Sequence, residues 1–203
     1  MTLTAVEARD AIGRREPAGA ALADDAGAVA EACHRMAVRF HSGGTLFVFG
    51  NGSSATDAAH IAVEFVHPVI VGKRALPAMS LTNDVATVTG IALTSGIDDV
   101  FAAQLRMHAR PGDIALGLSA DGNCRNVARA LEFAHERGLL TVAMAGGDGG
   151  ALARSPAVDQ LLVAHADDPL VVKEIQVTTY HILWELVHVF FEQPGLLDAE
   201  VNP

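Results

Sequence analysis

The chain has 203 residues, half of them apolar, enough for one sizeable core with no linker of biased composition, so a single domain is expected over 1–203 with a helical segment 1–42, an α/β core 43–192 and a tail 193–203. The formal charge of −10, from 24 acidic against 14 basic residues without a basic cluster, excludes direct nucleic-acid binding. No apolar run reaches the roughly 20 residues of a membrane span, M-T-L-T-A-V-E-A-R-D lacks a secretory layout, and Cys33 and Cys124 form neither a disulfide framework nor a thiolate metal motif, so a cytoplasmic protein is expected.

Residues 1–42 read as helical in two pieces broken near Pro17, with Val29, Cys33, Met36 and Phe40 at helical spacing. Short apolar runs follow at Thr45–Phe49, Leu76–Leu81, Asp113–Leu118, Thr141–Ala145 and Gln160–Ala164. They alternate with helical segments near Ser54–Val66, Asp98–His108, Asn123–Arg137 and Val171–Phe191. This alternation predicts an α/β fold, a three-layer sandwich around a five-stranded parallel sheet. Runs apolar on both faces, such as Ile114–Leu118, suit central strands covered on each side. Ile175, Ile182, Leu183, Leu186, Val189 and Phe190 leave the last helix few polar faces, and burial is expected for it, including burial between subunits.

In such sheets ligands sit at the carboxyl ends of the strands. Three loops there carry suitable chemistry: Gly50–Ser54, Ser119–Asn126 and Gly146–Gly150. The first opens the stretch F-G-N-G-S-S-A-T-D-A-A-H-I-A-V-E. Gly50 and Gly52 permit a tight turn, and Ser53 and Ser54 with the first helical N–H groups form a cradle for an anion such as phosphate, or simply an N-cap. His60 and Glu64, four apart, share a helix face, either as a local hydrogen bond or as two groups converging on one ion.

Four segments carry a resemblance: G-N-G-S-S-A-T-D-A-A-H-I-A-V-E at 50–64, A-L-P-A-M-S-L-T-N-D at 75–84, G-D-I-A-L-G-L-S-A-D-G-N at 112–123 and H-I-L-W-E-L-V at 181–187. The chain resembles the sugar isomerase (SIS) domain family, of the sedoheptulose 7-phosphate (phosphoheptose) isomerase type, from about Ala20 to Phe191. The resemblance implies a homotetramer with active sites between subunits and a zinc ion at each. Its metal ligands are a His and a Glu matching His60 and Glu64, a Gln opening the last helix, and a His matching His181. It implies Glu64 and His181 as the proton-transfer pair, since ketose–aldose conversion lifts a proton from one carbon and returns it to the next. Substrate-binding positions carried over by the match are Asn51, Gly52, Ser53, Ser54, Asp84, Ser119, Asp121, Asn123 and Lys173.

The chain also departs from the family pattern. Lys173 stands at the Gln ligand position, and an ammonium has no lone pair to donate. Either zinc keeps His60, Glu64 and His181 alone, or Lys173 pairs with Glu64 and replaces the ion's charge. Ser119, Ala120, Asp121, Gly122, Asn123 and Cys124 replace a Ser/Thr-rich phosphate loop, three hydroxyls being lost and a carboxylate gained, with Lys173 and Arg125 placed to compensate. Asp121 reads alternatively as an anion of the protein's own at a helix start, and Asp84 as an N-cap. Leu93 and Thr94 replace an Asn-Asp pair. Three functions are compatible with this residue set: a phosphosugar isomerase, a non-catalytic sugar-phosphate-binding or assembly protein with a protein partner, and an isomerase or lyase for a less phosphorylated polyol.

Overall fold

The five strands, β1 (Leu46–Gly50), β2 (Ala78–Ser80), β3 (Ile114–Ser119), β4 (Leu140–Gly146) and β5 (Gln160–Ala164), form one parallel sheet in the order β2-β1-β3-β4-β5. The computed structural model describes residues 4–193 and 195–197; residues 194 and 198–203, most of the expected tail, lie outside the described residues. Eight α-helices accompany the strands among the described residues: α1 (Ala5–Gly13), α2 (Glu16–Asp24), α3 (Ala26–His41), α4 (Ser53–Val66), α5 (Val85–Ser95), α6 (Val100–His108), α7 (Arg125–Glu136) and α8 (Pro169–Phe191).

Alternation along the strands divides the core. Leu46 and Val48 of β1, Ile114, Leu116 and Leu118 of β3, and Leu140, Val142 and Met144 of β4 pack beneath α3, α4 and α8. The intervening Phe47, Phe49, Ala115 and Ala143 pack beneath α6 and α7. Both faces are covered, so these strands are apolar throughout, and the expected three-layer architecture is the one observed.

Three local differences from the sequence expectation have physical causes. The amino-terminal segment is three helices rather than two: Pro17, in the first turn of α2 where a missing N–H costs nothing, marks the expected break, and a second break falls at Asp25 between α2 and α3. α5 is not among the expected helices: it has no fully buried residue, and its short apolar stripe of Val88, Ile91 and Ala92 is only half-buried. α7 starts at Arg125 rather than Asn123, because both the amide and the side chain of Asn123 are committed to its loop, as described below. In α8, Ile175 and Leu183 are buried. Ile182 and Leu186 are only half-buried and line, with Leu22 and Val29, an apolar groove of about 540 Å³ against α2 and α3.

From β1 the chain passes outward to β2 and then returns to β3 on the other side. The carboxyl ends of β1 and β3 therefore flank the switch point of the sheet, where ligands of such folds bind. Asn51, after β1, and Asn126, in the first turn of α7, tie this point together by reciprocal amide hydrogen bonds of 2.8 and 2.9 Å.

Candidate functional site

α4 begins directly at this switch point. Gly52 holds φ +55°, a left-handed conformation that admits glycine readily, and a Cβ on Gly50 would lie 2.7 Å from Ser54 Cβ. These two constraints accommodate the tight turn that opens the helix, which runs beside α8. The two helices run in the same direction, because their contacts recur at sequence offsets of 116 and 120.

At the upper contact, Lys173 of α8 donates from Nζ to Ser53 O at 2.8 Å and forms an ion pair with Asp57. Asp57 is buried, with 6% of its side chain exposed. The expected pairing of Lys173 with Glu64 is not formed. Glu64 lies seven residues beyond Asp57, about 10 Å farther along the helix axis, level with His181 instead.

At the lower contact, His60 Nε2 lies 3.2 Å and His181 Nε2 3.3 Å from the same oxygen, Glu64 Oε1. One ligand atom from each of the three residues lies within 4.8 Å of the others. Glu64 is 11% exposed in its side chain, whereas the two imidazoles are 46% and 45% exposed, so the cluster is anchored within and open outward. Trp184 fixes the backbone here by donating from Nε1 to Glu64 O at 2.9 Å. Tyr180, on the turn of α8 above, places its hydroxyl 2.9 Å from His60 Nδ1.

The donor set fits a zinc ion. Ligands about 2.0–2.2 Å from a tetrahedral ion are about 3.3–3.6 Å from one another, close to the two contacts on Glu64. Two imidazoles and one carboxylate with an exposed side form the three-ligand arrangement that leaves a fourth position for water or substrate.

The β3–α7 loop is occupied by its own groups. Ser119, buried, accepts at Oγ from Cys124 N at 3.3 Å. Asp121 Oδ1 accepts from Asn123 N at 2.9 Å, and this backbone N–H, outweighing burial, holds the carboxyl below its ordinary value. Asn123 Nδ2 donates to Asp121 O, and its Oδ1 accepts from Ala151 N, which stitches this loop to the one after β4. The two loops are in close contact: a Cβ on Gly122, at φ +71°, would overlap Gly149 O. The adjoining cavity of about 490 Å³ is lined by Asp121, Asp148 and Asp167 without a basic side chain among its lining residues.

Neither expected compensating cation faces Asp121. Lys173 is engaged by Asp57, and Arg125, 84% exposed in its side chain, pairs with Asp98 at 2.9 Å on the outer side of α7. Asp84 caps α5, accepting from Thr87 N at 3.1 Å and Thr87 Oγ1 at 2.6 Å, and these bonds, the hydroxyl's first, lower its pKa. It lines a different cavity, with Ala59, Ala62 and Val63 from the far side of α4. Leu93 stands exposed on α5, and Thr94 bonds back to Gly90 O at 3.0 Å. His188 is buried between Trp184 O and Arg74 O, at 2.8 and 2.9 Å, whereas Glu185 is exposed, so the two do not form the polar pair their spacing allows.

Sequence reasoning overlooked Asp57, Tyr180 and Asn126. Asp57 had a signal, standing three residues before His60 on the same helix face. Tyr180 is the single tyrosine, directly before His181.

Residues 18–146 match the family model described as SIS domain. Over 150 residues the chain is 42% identical to a phosphoheptose isomerase of Chlorobium phaeobacteroides, covering 73% of this chain and 66% of that protein. Over 170 residues it is 39% identical to one of Solidesulfovibrio magneticus, covering 83% and 82%. Among solved structures, a phosphoheptose isomerase from Francisella tularensis matches with a TM-score of 0.84 at 27% identity, covering 92% of this chain and 99% of that one.

Proposed function

Since the chain belongs to the phosphoheptose isomerases of the SIS-domain family, we propose that it interconverts a ketose phosphate and an aldose phosphate, sedoheptulose 7-phosphate or a close relative, at a zinc site formed by His60, Glu64 and His181. The observation that carries this reading is the convergence of two half-exposed imidazoles on one oxygen of a buried carboxylate. Zinc, when bound, supplies positive charge for the carbonyl and hydroxyl oxygens of the reacting carbons.

The remaining chemistry belongs to the chain. Oε1 of Glu64 is the atom both imidazoles face, which leaves Oε2 to take the proton from the carbon beside the carbonyl. His181, exposed on the substrate side with Nε2 toward the cation site, is placed to protonate the carbonyl oxygen from Nδ1–H and to take the proton of the adjacent hydroxyl. Oε2–H of Glu64 then gives its proton to the former carbonyl carbon. Asn51 and Gly52 shape the turn at which Ser53, Ser54 and the first amides of α4 receive the phosphate, with Ser119 beneath and the ammonium of Lys173 bonded to the same turn. Asp121 and Asn123, a carboxylate and an amide on an acidic rim, suit the hydroxyls of the polyol better than its phosphate.

We take residues 1–203 as one SIS domain that assembles as a homotetramer, the half-buried apolar groove of α8 being covered by another copy. Asp84, on a separate cavity, then serves a site shared between protomers. Two free thiols and a phosphorylated substrate accord with a cytoplasmic setting, and among the described residues no helix is long and apolar enough to cross a membrane. A non-catalytic assembly role is not favoured, because the matched relatives are isomerases by name and the three-ligand cluster is whole. The test is an isomerase assay with sedoheptulose 7-phosphate and with unphosphorylated sedoheptulose, each with zinc and with chelator. Zinc-dependent turnover of the phosphate ester alone supports the reading. Turnover of only the free sugar, or none with either, removes it.

A further inference from the structure

Tyr180 is the one tyrosine of the chain, and it is almost completely buried, at 2% exposure. A buried phenol requires a hydrogen-bond partner, and the partner here is His60 Nδ1 at 2.9 Å. The same ring packs edge-on against both imidazoles of the cluster, with centroids 5.5 Å from His60 and 4.7 Å from His181. One side chain therefore holds one histidine by a hydrogen bond and both by contact.

We propose that Tyr180 is a positioning residue for the metal site, setting the orientation and tautomer of His60. The inference rests on the zinc reading above. His60 Nε2 faces Glu64 Oε1, so a bound cation takes the lone pair of Nε2 and leaves the ring proton on Nδ1. That proton then donates to Tyr180 Oη, which fixes the ring plane. In the metal-free protein the neutral ring keeps its proton on Nε2, donated to Glu64, and Tyr180 donates to Nδ1. A hydroxyl serves both states because it both donates and accepts; a phenylalanine serves neither. Partners of this kind on a ligating histidine typically contribute about 10- to 100-fold in metal affinity.

The experiment is a zinc-affinity measurement by chelator competition on the wild type, Tyr180→Phe, His60→Ala and the double variant, with melting temperature of the metal-free proteins recorded alongside. Tyr180→Phe is expected to weaken zinc binding about 10- to 100-fold. In the His60→Ala background the same substitution is expected to cost nothing further, because Tyr180 acts through His60. Equal zinc affinity in Tyr180→Phe and wild type overturns the proposal while leaving the zinc reading intact. An equal loss in both backgrounds also overturns it, assigning Tyr180 to general packing. A wild type that takes up no zinc overturns both the proposal and the reading it rests on.

Discussion

Between α4 and α8, the contact made by Lys173 with Asp57 and the contact made by His60, Glu64 and His181 use similar parts to opposite ends. In the first, an ammonium meets a carboxylate with 6% of its side chain exposed and also takes a backbone carbonyl, so its charge is satisfied internally. In the second, two imidazoles share one carboxylate oxygen, and about half of each ring remains exposed. The difference lies in whether the positive charge is built in or left to be supplied. A built-in cation anchors the helices; a carboxylate flanked by two half-exposed imidazoles offers a site for an ion.

Substitutions separate the two contacts. Glu64→Gln removes the base and is expected to lower turnover by on the order of 10³-fold, with little change in melting temperature, measured by kcat and thermal unfolding on the same preparation. Asp57→Ala leaves a partly exposed ammonium without its partner and is expected to destabilise the fold by about 2 kcal/mol, less than a fully buried pair because Lys173 is still in reach of water. Denaturant titration reads this directly, and an unchanged midpoint assigns the anchoring elsewhere. Lys173→Gln removes a positive charge near the cation site and frees the carboxylate of Asp57. Zinc affinity is expected to rise about tenfold while stability falls, and a variant that changes neither separates Lys173 from the metal altogether. The smallest effect is expected from Asp121→Asn: a decrease of a few fold in KM for the phosphorylated substrate, since the carboxylate it replaces is exposed and screened.

The parallel sheet was legible because its central strands β1, β3 and β4 are buried on both faces and short apolar runs alternate with helical segments, and Gln160–Ala164 matches to the residue. α5 was not legible. Its start is marked only by the N-cap read at Asp84; Thr89 and Thr94 bond back to the carbonyls of their own turns, Gly90 sits in its middle, and Val88, Ile91 and Ala92 are only half-buried, so its apolar face is weak. At the site, the face shared by His60 and Glu64 could be read from spacing. The partner of Lys173 could not, because it depends on the relative height of two helices, and the same register that sets His181 against Glu64 sets Lys173 against Asp57. The destination of Arg125 was hidden for the same reason: its position beside Asp121 in the chain says nothing of the side of α7 from which it leaves.

The claim that the lower contact is a working metal site is tested most directly by titrating zinc into the chelator-treated protein while following both bound metal and sedoheptulose 7-phosphate isomerisation. Turnover is expected to rise in step with zinc, level off at one ion per protomer, and be lost again on chelation. Isomerisation that proceeds unchanged without metal, or zinc bound at full occupancy with no turnover, contradicts the account.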